Sequence, residues 1–335
     1  MALDNELLYY LLYALVARGG RGDALFGDAL PLTRGALVRS LAADAFPELW
    51  FEIPLLGEPW LDFHALTSRS DLKAGMTFSP EQTGGCPRAF EWFAAQPEKG
   101  VRQLALSWDT SRGDIEHPAI QLLVYDTPSY PALTCGFLEA AGRPDATAAY
   151  RSFVDRMPKG WFACYTGVFP GRTTPFLRVE CIPSSEQQTA YANSQDLLRE
   201  HLCQMGMTEP PEDLLSRCQA LAKAARKIEF QFDVTPEGYA GDTFSVSLRF
   251  ACPPGTDDWL CLATDGPVGE LMGGLQADGI VDDRWRLLEQ TSFANRVGFA
   301  GESTTLFCYP AFLKLRWRAG KFVDAKAYLV AGVMK

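Results

Sequence analysis

Apolar and polar residues alternate with a period of two in ten short segments that come in pairs: 48–56 with 60–67, 101–109 with 119–126, 160–169 with 175–182, 227–234 with 243–251, and 304–318 with 322–331. Such a period puts successive side chains on opposite faces of a strand. The joints within pairs, such as Gly57-Glu58-Pro59, Pro236-Glu237-Gly238 and Ala319-Gly320, carry the Gly and Pro of hairpin loops. Five antiparallel hairpins follow. Helical sequence separates them, with helices expected over 3–16, 36–42, 186–205, 211–225 and 283–296. Segments 67–85 and 252–258 read as irregular connections within one domain.

The hairpins divide consistently into two faces. Phe51, Ile53 and Leu55 share a side with Leu61, Phe63 and Ala65, while Trp50, Glu52, Trp60, Asp62 and His64 take the other. Leu177, Val179 and Cys181 alternate with Arg178 and Glu180; Ile228, Phe230 and Phe232 with Lys227, Glu229, Gln231 and Asp233; Phe244, Val246 and Leu248 with Ser245, Ser247 and Arg249. Near the end, Leu313, Leu315 and Trp317 alternate with Lys314 and Arg316, and Ala325, Ala327 and Leu329 with Lys326 and Tyr328. The intervening helices are the obvious cover for the apolar faces. An open sheet would then turn its polar face to water, but ten open strands leave two edges to protect, and the regular repeat favours closure. The predicted fold is α+β: a ten-stranded antiparallel barrel with a polar lumen, ringed by helices in five ααββ repeats and filling one domain, 1–335. A lumen of that size exceeds the roughly eight-stranded case that side chains fill.

Composition narrows the class. With 335 residues and 47% hydrophobic content, the chain suits one large globular domain. No apolar run approaches the roughly 18 residues of a membrane span, and 7–17 lacks the basic start and cleavage site of a signal peptide. A cytoplasmic protein without membrane partners is expected. A net charge of -10 disfavours nucleic-acid binding. The nine cysteines are scattered, with no C-x-x-C pair, and Cys164 and Cys308 sit among apolar neighbours like small buried hydrophobes. Three histidines make a multi-histidine zinc site improbable. Nucleophile-elbow, Walker A, dinucleotide-binding and H-E-x-x-H signatures are absent.

The ααββ repeat around a ten-stranded barrel resembles the ABBA prenyltransferases, whose fold is called the PT barrel. Three local runs add to the likeness. WLDFHALTSRS (60–70) resembles the second strand of small bacterial aromatic prenyltransferases. The stretch from AIQLLVYDTPSYPAL (119–133) to WFACYTGVFPGRTTPFLRVECIP (161–183) is similar in spacing to the cyanobactin-type peptide prenyltransferases, and FVDAKAYLVAG (322–332) resembles the closing strand of both groups.

That resemblance implies an allylic diphosphate donor, an electron-rich acceptor and electrophilic alkylation. Positions matching the family's diphosphate ligands are Arg178, Arg249 and Lys326, joined by Lys314, Arg316 and His64. The second hairpin departs from the pattern, with Gln121 and Leu123 where a lysine is expected. Trp50, Trp60, Tyr125, Tyr165, Trp161 and Tyr328, with Gln121, would shield an allylic cation or line the acceptor pocket. Glu52 would be the base, and Asp62 would help hold Mg2+ brought by the diphosphate. The resulting expectation is transfer of a dimethylallyl or geranyl group to a nucleophilic or aromatic side chain of a peptide. Prenylation of a small phenol or indole, and a ligand-binding barrel without diphosphate chemistry, are the alternatives.

Overall fold

In the computed structural model, eleven strands account for the alternating segments: β1 (Glu48–Pro54), β2 (Asp62–Ser68), β3 (Val101–Asp109), β4 (Asp114–Val124), β5 (Trp161–Val168), β6 (Leu177–Pro183), β7 (Ile228–Val234), β8 (Ala240–Arg249), β9 (Phe293–Phe299), β10 (Glu302–Arg318) and β11 (Lys321–Met334). The structure describes residues 21–26, 48–72, 85–97, 99–109, 114–170, 175–224, 227–249, 266–299 and 302–334. The helices expected over 3–16 and 36–42, and the irregular 252–258, lie outside the described residues.

Strands β1 to β8 pair in order, β8 pairs with β10, β10 with β11, and β11 returns to β1, so ten antiparallel strands close on themselves. The register confirms the common face of the first hairpin: Phe51 lies opposite Phe63 and Glu52 opposite Asp62. Closure removes the sheet edges that an open arrangement would expose.

Around the barrel run α1 (Arg21–Phe26), α2 (Pro87–Ala95), α3 (Tyr130–Ala140), α4 (Ala146–Asp155), α5 (Ser185–Asn193), α6 (Gln195–Gln204), α7 (Glu212–Ala224), α8 (Pro267–Ala277) and the short α9 (Trp285–Leu288). The core is the layer between these helices and the outer strand faces. Phe51, Phe63, Leu106, Val179, Phe230 and Leu313 are buried there against Phe90, Phe137, Phe153 and Leu198. Helix α4 sits so close to the β7–β8 turn that a Cβ on Gly238 would meet the Ala149 carbonyl oxygen at 2.6 Å. At φ +80° that position also needs the conformational freedom of glycine.

Two helix expectations are corrected. The stretch 186–205 holds two helices, because Ser194 takes an extended conformation and its Oγ accepts from the Leu197 amide (3.3 Å), capping α6. The stretch 283–296 keeps only α9 and a short turn before becoming β9. Strand β10 starts well before the part that pairs with β8, and β9 covers that otherwise open edge over Glu302–Cys308. Tertiary pairing thus overrides a locally helical pattern. Among the described residues the helices between hairpins also vary in number, so a strict five-fold ααββ repeat is not seen. None of the described helices is long and apolar enough to cross a membrane.

Candidate functional site

The inward strand faces enclose a lumen of two chambers of about 360 and 370 Å³. His64, Gln121, Tyr165, Gln231, Lys314 and Tyr328 border both, forming a waist between them. Both volumes fall within the range of small-molecule sites. The polar faces therefore converge on one cavity, as the alternation predicted.

The first chamber is charged. It holds Glu52, Asp62, Trp60, Asp109, Arg178, Arg316, Asp324 and Lys326. Its cations are matched by acids: Arg178 binds Asp233 through Nε at 2.6 Å, Arg316 binds Asp324, and Lys326 binds Glu52 with Asp62 at 3.7 Å. Strand register brings these pairs together, since Arg178 faces Asp233 and Arg316 faces Asp324 across neighbouring strands. Glu52 also accepts from Tyr328 and lies 3.3 Å from His64, whose Nδ1 meets Ser107 Oγ at 2.5 Å. Burial pushes the Glu52 carboxyl up, but Lys326, His64 and Lys314 outweigh it and hold the group well below the usual carboxylate range. For Lys326, burial is likewise outweighed by Glu52 and Asp62, which raise its pKa. Among the described residues, the buried Trp60 Nε1 has no hydrogen-bond partner.

Lys314 at the waist differs from these cations. Its Nζ donates to Gln231 Oε1 (3.4 Å) and Tyr328 OH (3.1 Å) and, among the described residues, forms no ion pair. Desolvation by burial depresses its pKa. The Tyr328 ring centroid lies 4.9 Å away. Gln121, found where the family pattern predicts a lysine, is buried at the same level.

The second chamber is mainly aromatic and aliphatic, with Trp50, Phe162, Tyr165, Phe312 and Tyr328 in its wall and the half-exposed Tyr125 at its mouth. Arg249 lies over the Phe312 ring (4.5 Å) with its Nη2 3.4 Å from Glu229. Lys227 stands 3.4 Å from the same carboxylate. Beside them, Glu180 accepts from Gln231 Nε2 at 2.8 Å. Burial and the adjacent Glu229 push the Glu180 carboxyl up to about 8. Burial acts on Glu229 too, but Arg249, Glu180 and Lys227 together outweigh it and lower its pKa. Burial keeps the Tyr165 and Tyr328 phenols protonated, with pKa values well above the usual range.

The placement of Trp161 corrects the sequence expectation. It packs against Phe230 outside the barrel, and its Nε1 donates to Tyr191 OH at 2.8 Å. The cause is a bulge in β5, where the register moves from Ala163↔Cys181 directly to Tyr165↔Glu180. The bulge reverses side-chain parity, so Tyr165 points inward although Trp161 does not. It also brings Cys164 into the wall of the aromatic chamber instead of a simple apolar core, while burial raises its thiol pKa well above normal. A second bulge, between Pro310 and Phe312, reverses parity in the part of β10 before it, so Phe307 joins the cluster of Phe312 and Tyr328 while Cys308 joins the outer core; Phe312 keeps the inward face of Lys314. Sequence reasoning did not assign Phe312, Lys227, Glu180, Glu229 or Gln231 to the site. For all five, inward parity was the available signal.

The described residues contain no cluster of three His, Cys, Asp or Glu side chains arranged to hold a metal. Asp62 still offers a buried hard oxygen donor beside the cations, which suits magnesium ligated mainly by substrate phosphates.

No family model and no curated protein matches the chain. Solved structures do. 5-Dimethylallyltryptophan synthase from Streptomyces coelicolor is 12% identical with a TM-score of 0.51 and 96% of each chain covered. The prenyltransferase PriB in its apo form is 14% identical with a TM-score of 0.54, covering 97% of this chain and 96% of that one. A 6-dimethylallyl tryptophan synthase is 12% identical with a TM-score of 0.54, covering 98% and 96%. The chain has the PT-barrel fold of these prenyltransferases, a closed ten-stranded barrel with helices around it.

Proposed function

We propose that the protein transfers an allylic isoprenoid, dimethylallyl or geranyl, from its diphosphate to a nucleophilic or aromatic acceptor. The observation that carries this reading is Lys314, a buried cation that forms no ion pair among the described residues, held between a charged chamber and an aromatic one. Diphosphate on the charged side would meet Lys314 together with Arg178, Arg316 and Lys326. The isoprenoid would extend through the waist among Tyr165, Tyr328, Trp50 and Phe312. His64 borders that route, and Arg249 supplies positive charge at its far end.

Ionisation breaks the C–O bond and leaves the electron pair on the diphosphate. Fixed cations favour that charge where it develops, and the ring faces stabilise the allylic cation while excluding water. The acceptor's electron pair forms the new bond, and its proton leaves to a base. Glu52 suits this step: its lowered pKa keeps it ionised at neutral pH, and an alkylated aromatic cation is acidic enough for a weak base to deprotonate. Trp60 Nε1 is an additional donor for a phosphate oxygen. Magnesium would enter on the diphosphate, with Asp62 its protein ligand, and supply further charge neutralisation.

Solved structures named for tryptophan prenylation favour an indole-like acceptor, free or within a peptide. The cation–carboxylate pairing also leaves a second reading in view, a barrel that binds a ligand without diphosphate chemistry. Incubating the protein with dimethylallyl or geranyl diphosphate, Mg2+ and a panel of peptides, indoles and phenols, followed by mass spectrometry, tests the proposal. Product of the added isoprenoid mass supports it. No product, and no thermal stabilisation by a non-hydrolysable allylic diphosphate, supports the binding barrel.

A further inference from the structure

Three adjacent strands bring an alcohol, an imidazole and a carboxylate into line on the wall of the charged chamber. Ser107 of β3 pairs directly with His64 of β2, and His64 pairs with Trp50 of β1, two residues before Glu52. Ser107 Oγ meets His64 Nδ1 at 2.5 Å, and His64 Nε2 lies 3.3 Å from Glu52 Oε2. Glu52 is ion-paired with Lys326 and accepts from Tyr328, so it stands as a carboxylate, and the proton between it and the ring belongs to Nε2. The neutral imidazole then presents its lone pair at Nδ1, and Ser107 is the donor of the 2.5 Å bond. The lone pairs of the serine oxygen remain for another group.

An alcohol–imidazole–carboxylate chain is the constellation of nucleophilic serine catalysis, which is recognised by geometry and roles and recurs on unrelated folds. The ring nitrogens exchange partners relative to the common arrangement. Either nitrogen can accept while the other donates, so the chemistry is the same. Ser107, His64 and Glu52 all line the charged chamber. Two further donors border it: Trp60 Nε1, which has no hydrogen-bond partner among the described residues, and Lys314, which forms no ion pair among them. Such donors suit an oxygen that gains negative charge during acyl transfer, and Lys314 also favours a substrate with an anionic group. Were the Ser107–His64 bond only a tie between β2 and β3, its oxygen would react no faster than that of any other serine.

We propose that the charged chamber carries a second activity, hydrolysis of carboxylic esters that bear an anionic group, with Ser107 as nucleophile, His64 as general base and Glu52 orienting the ring. Ser107 Oγ bonds to the ester carbonyl carbon as its proton passes to His64 Nδ1. The C–O bond to the alcohol then breaks, and the departing alkoxide takes that proton. Water attacks the acyl group on Ser107 and gives a proton to Nδ1; the carboxylic acid leaves as Ser107 Oγ recovers the proton. The three residues sit on paired strands, which hold such a geometry more firmly than loops do. This activity is independent of prenyl transfer, although Glu52 and His64 would serve both.

The test has two arms on the full chain. A small alkyl fluorophosphonate, which a nucleophilic serine attacks at phosphorus with loss of fluoride, is expected to leave a single adduct that peptide mapping by mass spectrometry places on Ser107. Ser107→Ala should form none, and His64→Gln should form it at least about a hundredfold more slowly. The second arm follows hydrolysis of 4-acetoxybenzoate and of its neutral counterpart 4-acetoxybenzamide, each relative to its uncatalysed rate. The anionic ester should be preferred at least about fivefold, and Ser107→Ala should abolish both reactions. No adduct, an adduct on another residue, labelling that survives in His64→Gln, hydrolysis that survives in Ser107→Ala, or equal rates for the two esters would overturn the proposal. Mapping of the wild-type adduct decides the matter even if a variant fails to fold. A parallel thermal-shift measurement with a non-hydrolysable allylic diphosphate keeps the two activities apart: stabilisation without labelling retains prenyl transfer and rejects the esterase, and labelling without stabilisation does the reverse.

Discussion

Replacing Glu180 with Gln should make the protein more stable at alkaline pH, by an amount that depends on pH in one direction. The folded-state pKa of this carboxyl is about 8 against an ordinary value of 4.5. The folded chain therefore holds a proton that the unfolded chain releases between those values, and stability falls as pH rises through the window. At about 1.4 kcal/mol per pH unit, ionising Glu180 within the fold costs on the order of 5 kcal/mol. Glutamine resembles the protonated carboxyl and removes that slope. With an unfolding entropy of about 0.7 kcal/mol per degree for a chain of this length, the full effect is a Tm gain of about 7 °C. Differential scanning calorimetry at pH 5, 7 and 9 would show near-equal Tm values at pH 5, a gap widening towards pH 8, and a plateau above it. A gap constant to within about 1 °C across that range would refute the reasoning, because an effect on packing alone has no reason to follow the titration of one carboxyl.

Other perturbations separate the roles of the lumen residues. Lys314→Met removes a buried cation that forms no ion pair among the described residues but helps keep Glu52 ionised, so thermal stability should change by no more than about 1–2 kcal/mol, while stabilisation by a non-hydrolysable allylic diphosphate should drop at least about tenfold in apparent affinity. Lys326→Ala leaves Glu52 buried without its main partner and should cost about 3–5 kcal/mol by denaturant unfolding; adding Glu52→Gln should recover part of that loss. Trp161→Phe should cost about 1–2 kcal/mol through the lost bond to Tyr191, and kcat/KM for prenyl transfer should stay within about twofold, as the ring lies outside the lumen. If Mg2+ serves the diphosphate, chelation should lower turnover, and Asp62→Asn should raise the Mg2+ concentration needed for half-maximal rate.

The barrel was largely legible because its strands alternate cleanly. Ile228 to Val234 and Leu313 to Trp317 each mark one apolar face without tertiary information, and the polar faces gave the inward positions of Glu52, Arg178, Lys314 and Lys326. What alternation cannot show is where parity breaks. The bulge near Cys164 turns Trp161 outward, and the one near Ala311 puts Cys308 in the outer core and Phe307 beside Phe312 and Tyr328, and no single residue at either place announces the extra step. Pairing was equally hidden. Arg178 against Asp233 and Glu180 against Gln231 follow from register, which depends on loop lengths and bulges across several strands. Strand β9 escaped detection because its reason for existing is the uncovered edge of β10, a feature of another part of the chain.

Closure of the circuit by β11 on β1 has a consequence for synthesis. Glu52 and Lys326 are partners 274 residues apart, so a ribosome emits the acid long before the base that neutralises it. Until the final strand emerges, the nascent polypeptide holds an unzipped seam and unmatched charge, and contacts of such long range slow folding. Chaperone dependence and sensitivity to translational pauses before β11 emerges are the traits expected from this order.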